Sequence, residues 1–147
     1  MKFKLIIDPK APETVVATVH RKSWLTDQLQ QLVLQQAGED SLAVYDEEDV
    51  YFLPVSQIEC ITVAEGKTFV IDTLARRYRL KQRLYEVEAR LPEYFVLINK
   101  STVANEKRLE RFSPSFGGAV DAVFRCGYRD YVSWRCLAQI KRRFEKK

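Results

Sequence analysis

Residues 94–113 read YFVLINKSTVANEKRLERFS. The apolar run Tyr94-Phe95-Val96-Leu97-Ile98 has strand length and predicts a buried strand. It stops at Asn99-Lys100-Ser101, where an amide, an ammonium and a hydroxyl follow one another. Ser101 is placed to cap a short helical turn over residues 102–105. Leu109 and Phe112 then return the chain to the core. A rigid strand that delivers three polar groups to the surface suits a phosphate or a base edge. The same spacing also fits an ordinary strand-to-helix junction with its cap.

Toward the C-terminus, residues 113–118 (SPSFGG) form a turn, and residues 119–124 and 128–132 predict a hairpin through Cys126-Gly127. Ser133 is the cap of a last helix, residues 134–143. On it Arg135 and Arg142 share one face, with Leu137, Ile140 and Phe144 opposite. An outward arginine in a first helical turn opposes the macrodipole at a cost of about 0.3–1 kcal/mol. A phosphate or base acceptor would offset that cost, and a solvated amphipathic helix is the plain alternative.

Toward the N-terminus, Leu80, Leu84, Val87 and Leu91 make a helical stripe ended by Pro92. It predicts one substantial internal helix. Before it, alternation in a strand puts Arg77 and Arg79 on one face and Arg76 and Tyr78 on the other. Residues 58–63 and 69–71 form a hairpin in which Gly66 supplies the turn, with Lys67 and Thr68 at or just past the tip. Residues 42–45 and 50–53 flank Asp46-Glu47-Glu48-Asp49, a hairpin with an acidic tip. That tip lacks the alternation and glycine of a calcium loop. DNA would repel it, so it should face away from a DNA-binding surface.

The first forty residues read as an appendage. Residues 2–7 predict a strand closed by Asp8-Pro9, and residues 14–19 a β-branched second strand. Ser23 opens a helix carrying Leu25, Leu29, Leu32, Val33 and Gln36, and Gly38 is its stop. Gln28, Gln31 and Gln35 leave its outer face almost uncharged. The expected division is therefore residues 1–40, a strand-strand-helix extension that packs on the main domain or pairs with a second copy, and residues 41–147, the main domain. The fold class is mostly β (α+β by content): several short strands in small sheets with few helices.

Charge divides the same way. Residues 1–57 hold five Lys/Arg against nine Asp/Glu, a net −4, and residues 58–147 hold 19 against 11, a net +8. A basic field of that kind favours nucleic acid or an anionic surface, or is simply a solvated face. No apolar run approaches the ~18 residues of a membrane span, and the N-terminus lacks a signal-peptide pattern. A cytoplasmic location is expected. Cys60, Cys126 and Cys136 are widely spaced and form neither a disulfide framework nor a zinc motif, even with His20 added. Cys60 and Cys126 fall in apolar strands as small core residues. Phosphate loops, dinucleotide fingerprints and hydrolase motifs are missing, so neither catalysis nor a cofactor or metal is expected.

FVLINKSTVAN followed by RLERF resembles the core signature of the LytTR DNA-binding family. The resemblance continues through GGAVDAVFRCGYRDYVSWRCLAQIKRRF and back through IECITVAEGKTFVIDTLARRYRLKQRLYEVEARLP, covering residues 42–144. Too few residues precede it for the family's usual receiver domain, so the chain looks like a stand-alone regulator. The resemblance implies small sheets that bind duplex DNA through loops and helix-leading junctions entering successive major grooves. Carried onto this chain, the contacting positions are Lys67 with Thr68, Lys100 with Asn99 and Ser101, and Arg135. Arg77, Arg79, Arg129, Lys141 and Arg142 are candidate phosphate contacts. Where the family often has an arginine before the motif's isoleucine, this chain has Leu97, which removes a contact from that position. Family sites are commonly imperfect direct repeats, which implies two protomers on one DNA face.

Two other classes compete. One is a protein-binding module without DNA binding, since some stand-alone members of the family sit beside a small membrane protein that restrains them. The other is an RNA-binding β-domain, which would need exposed aromatics on a sheet face. Here the aromatics are expected to alternate mostly into the core.

Overall fold

The computed structural model describes residues 1–12, 14–37 and 41–145. Three helices and ten strands follow in the order α1 (Trp24–Ala37), β1 (Ser41–Asp46), β2 (Asp49–Pro54), β3 (Ile58–Ala64), β4 (Lys67–Asp72), β5 (Arg77–Leu80), α2 (Leu84–Glu88), β6 (Phe95–Asn99), β7 (Thr102–Asn105), β8 (Leu109–Pro114), β9 (Val120–Phe124), β10 (Arg129–Val132) and α3 (Trp134–Glu145). The mostly-β expectation holds. The strands form two antiparallel sheets, one of seven in the order β2-β1-β5-β4-β3-β7-β6 and one of three, β10-β9-β8.

The large sheet is buried on both faces because its central strands carry apolar residues on both, with a few buried polar side chains among them, such as Glu59, Thr62 and Thr102. In β3, Ile61 joins a core with Val70, Tyr78, Val103 and Val87 of α2. Its neighbour Cys60 points the other way, into a second core with Ile71, Ile98 and Ala104. That second core is closed by Phe124 and Val132 of the small sheet and by Leu137 and Ile140 of α3. Strand alternation thus sends adjacent residues into different cores.

Three local expectations are corrected. Residues 102–105 are strand β7, not a helical turn, so residues 94–105 form a hairpin. The helical turn comes four residues later, at Glu106–Arg108, and Asn105 caps it by accepting from the Lys107 amide at 3.0 Å. The long internal helix is only Leu84–Glu88. Leu80 belongs to β5, paired with Thr68, so its place in the helical stripe is coincidental. Among the described residues of the extension only the helix is present. Residues 2–7 and 14–19 form no strand, and their apolar side chains are exposed. The helix stop assigned to Gly38 and the side chain of Phe144 lie outside the described residues.

Every residue of the two buried cores lies between Leu42 and Ile140. Deletion of residues 1–40 is therefore expected to leave a folded domain, whose circular dichroism keeps its β signal, loses only the contribution of α1, and shows a single thermal transition. Loss of that transition would make the extension part of the core.

Candidate nucleic-acid interface

Strand pairing gathers the sequence-predicted positions at one end of the large sheet. Glu65 and Gly66 form a two-residue turn between β3 and β4, both at positive φ (54° and 74°). That backbone matches the twist of a tight hairpin. It leaves Lys67 exposed at the start of β4, while Thr68 turns inward and is buried. Lys100 and Ser101 make the β6–β7 turn. Because β7 pairs with β3, this turn lies beside the first, fastened by the Val63 amide donating to the Ser101 carbonyl at 2.8 Å. Lys100 is exposed and Ser101 half-buried.

The third junction is the start of α3. The Ser133 amide donates to the Ile98 carbonyl at 2.9 Å, which ties the helix to the end of β6. Ser133 caps the helix as expected, its Oγ accepting from the Cys136 amide at 3.2 Å. Arg135 is exposed in the first turn, and Arg142 is exposed farther along the helix.

Asn99 connects all of this. It is 1% exposed. Its Nδ2 donates to the Tyr131 carbonyl and its Oδ1 accepts from the Ser101 amide, both at 2.8 Å. Both ends of the amide are thus used inside the protein, and the side chain shapes the Lys100 turn. Beneath it runs a second tie between the sheets. The Thr102 hydroxyl donates to Asp130 Oδ2 at 2.6 Å, and Thr62 Oγ1 lies 2.7 Å from Thr102 Oγ1. A hydroxyl has one proton, so Thr62 is the donor to Thr102. Tyr128 adjoins Thr62, and burial, with the negative field of Asp130, pushes its phenol up to about 12. Burial likewise pushes the Cys60 and Cys126 thiols up. All three cysteines are free.

The phosphate-contact candidates are spread more widely. Arg79 and Arg77 are exposed on β5. Arg79 pairs with Phe69, near the Lys67 turn, whereas Arg77 lies two residues farther off with its guanidinium 4.3 Å from the Phe69 ring centroid. Arg129 is held by Asp121 at 3.2 Å. Lys141 and Arg142 lie about 9–10 Å along the helix axis from Arg135, at 1.5 Å per residue. Arg143, which no sequence signal singled out, is engaged by Glu106 at 2.9 Å and the Glu93 carbonyl at 3.1 Å.

Sequence reading missed two groups at this end. Trp134 is 73% exposed immediately before Arg135, and Tyr131 is 45% exposed on β10. These depart from the expectation that aromatics alternate inward. Arg83, Tyr85 and Leu97 line a concavity of about 590 Å³ shared with Lys100, Ser101 and Gly66. The acidic hairpin tip, by contrast, is at the opposite end of the sheet. β5 runs toward the Lys67 turn, and β1 runs antiparallel to β5 with Tyr45 opposite Arg79.

Among the described residues no group of three or more His, Cys, Asp or Glu side chains could hold a metal ion. None of the described helices is long and apolar enough to cross a membrane.

Comparison with known proteins bears on what such an end is for. Proteins of Staphylococcus aureus strains MSSA476 and NCTC 8325, each described as an uncharacterized HTH-type transcriptional regulator, are 27% identical over 146 residues, 97% of either chain. A solved Bacillus cereus chain described as a LytTr DNA-binding domain shares the fold, with a TM-score of 0.64 and 19% identity over 71% of this chain and 96% of that one. Residues 48–145, which contain all three junctions, match the LytTr DNA-binding domain family. The chain belongs to the LytTR DNA-binding domain family.

Proposed function

We propose that the chain is a transcriptional regulator that reads duplex DNA through the three fastened junctions. The observation that carries this reading is their common anchorage. The β3–β4 turn, the β6–β7 turn and the start of α3 are joined by backbone hydrogen bonds and by the Asn99 amide. Lys67, Lys100 and Arg135 project from that rigid frame into solvent. Three cations held in fixed relation can address successive major-groove positions, where guanine offers N7 and O6. Ser101 and Thr68 support the turns, and Asn99 positions Lys100 instead of touching DNA. Arg79, Lys141 and Arg142 supply phosphate contacts, and Arg77 and Arg129 can join them by leaving Phe69 and Asp121. The proposed sites are direct repeats that take two protomers on one DNA face. No two of the described helices are joined by the short turn of a helix-turn-helix unit, so base reading falls to turns and a helix start. The activity is binding, not catalysis. Mobility shifts with duplex DNA, single-stranded RNA and no ligand test the reading, and retention of RNA alone would overturn it.

One quantitative expectation follows from the charge distribution. With about six to eight phosphate contacts, log K should fall against log[salt] with a slope of roughly −5 to −7. A slope shallower than about −2 would reduce the basic half to a solvated face.

Arg135→Lys keeps the charge and loses the planar fork that matches guanine. It should cost about 1–3 kcal/mol on a cognate duplex and little on a scrambled one. Arg142→Ala should weaken both duplexes alike. Equal losses for Arg135→Lys on the two duplexes would make Arg135 a phosphate anchor and move base reading to Lys100 and Lys67.

A further inference from the structure

The N-terminal extension carries strand sequence with nothing to pair with. Phe3, Leu5 and Ile7 recur at every second residue, and they are 89%, 73% and 84% exposed. Among the described residues, no backbone hydrogen bond joins residues 2–7 to the rest of the chain. Period-2 apolar spacing predicts one face made for burial, and this chain does not bury it.

The large sheet meanwhile has an open side. Its two outermost strands are β2 and β6. β6 is packed by α3 and β10, whereas the helix packed beside β2 is α1. Val50 and Tyr51 of β2 remain 38% and 42% exposed. An edge strand of this kind offers a row of unpaired N–H and C=O groups to another strand.

Charge matches the two parts. Lys2, Lys4 and Lys10 against Asp8 leave the first ten residues basic, and Asp46, Glu47, Glu48 and Asp49 make the tip where β2 begins acidic. Both parts belong to one chain, so every copy carries one segment and one edge. Reciprocal exchange between two copies closes on itself with two-fold symmetry.

We propose that the β2 edge docks a second copy of this chain, each copy adding its residues 2–7 as an extra strand on the β2 edge of the other. Backbone hydrogen bonds supply the pairing, Phe3, Leu5 and Ile7 cover Val50 on one face of the sheet, the lysine stems run along Tyr51 on the other, and the lysine ammoniums meet the acidic tip. The tip lies at the end of the sheet opposite the Lys67 and Lys100 turns, so exchange leaves those turns free. The proposal goes beyond the DNA reading and does not rest on it.

The test uses the full chain without DNA. Equal amounts of unlabelled and nitrogen-15-labelled protein are mixed and joined with a zero-length carbodiimide, which links lysine to carboxylate. Linked peptides between Lys2, Lys4 or Lys10 and residues 46–49 should include pairs of mixed label. Sedimentation should give a dimer, and Leu5→Asp and Val50→Lys should each weaken it about tenfold or more. Both positions are exposed in the single chain, and circular dichroism checks that it stays folded. Cross-links of like label only, a chain monomeric at every soluble concentration, or a dimer that survives either substitution would overturn the proposal.

Discussion

Arg108→Met is expected to destabilise the protein by about 3 kcal/mol, a fall of roughly 10 °C in Tm. The reason is Glu59, which is fully buried. Glu59 sits at the β-bulge where β3 slips register against β4 between Ile58 and Cys60. A bulge re-aims the side chain of its extra residue. Here Arg108 meets that carboxylate, its Nη2 and Nε lying 2.9 and 3.1 Å from Oε1. Methionine fills much of the arginine's volume but leaves a buried carboxylate with no countercharge. The figure is at the lower end for breaking a buried pair, because Arg108 is 29% exposed and part of its environment is already water. Glu59 Oε2 has no hydrogen-bond partner among the described residues, so the arginine is its main compensation. The double variant Glu59→Gln/Arg108→Met removes both charges and should recover at least about half of the loss. Chemical denaturation of the three proteins checks this. A double variant as unstable as Arg108→Met would show that the arginine acts through packing and not through charge.

The Glu59–Arg108 pair also marks where sequence reading stops. Its members are 49 residues apart, and neither has a local pattern that names the other. What was legible had a local cause. Hairpins with glycine or acidic turns, the Ser133 cap and the exposed face of α3 each follow from a few adjacent residues. Residues 102–105 were misread because Ser101 carries a valid cap signal. The decision there is non-local, since β7 is paired on both sides, to β3 and to β6. Leu80 was misread because a strand residue happened to fall in step with Leu84, Val87 and Leu91. Trp134 was overlooked because its spacing to Leu137 and Ile140 looks like one apolar stripe, yet at the first turn it is left in solvent. The candidate site was legible as a set of cations, Lys67, Lys100 and Arg135, which the structure leaves exposed. The inward roles of Asn99 and Thr68 were not, because burial depends on neighbours that the local sequence does not show. For residues 2–7 strand propensity was legible, and the described chain gives them no partner strand.

Asn99→Ala carries the second large expected effect, on stability and DNA binding together. The substitution removes one donor and one acceptor from a buried position. The Tyr131 carbonyl and the Ser101 amide lose their partners at 2.8 Å. A buried polar group left unpaired costs about 1–3 kcal/mol, and because these two hydrogen bonds are only part-buried a total of about 2–4 kcal/mol is expected. The consequence for function is geometric. The Ser101 amide follows Lys100, and the Tyr131 carbonyl lies just ahead of the α3 start that carries Arg135. Without the amide bridge the Lys100 turn and the α3 junction are held by the Ser133–Ile98 bond and the Thr102–Asp130 tie. The distance between the two cations is then less well defined, and a ligand must pay to order them. Affinity for a cognate duplex should fall about tenfold or more, measured at a temperature where the variant is still folded. Asn99→Asp should not rescue it. A carboxylate keeps the acceptor for Ser101 but sets a second oxygen against the Tyr131 carbonyl, where a donor is required. Normal affinity in a destabilised Asn99→Ala protein would confine Asn99 to folding. Reduced affinity in both variants, with Lys67 and Arg135 unaltered, would identify it as the residue that sets the spacing between Lys100 and Arg135.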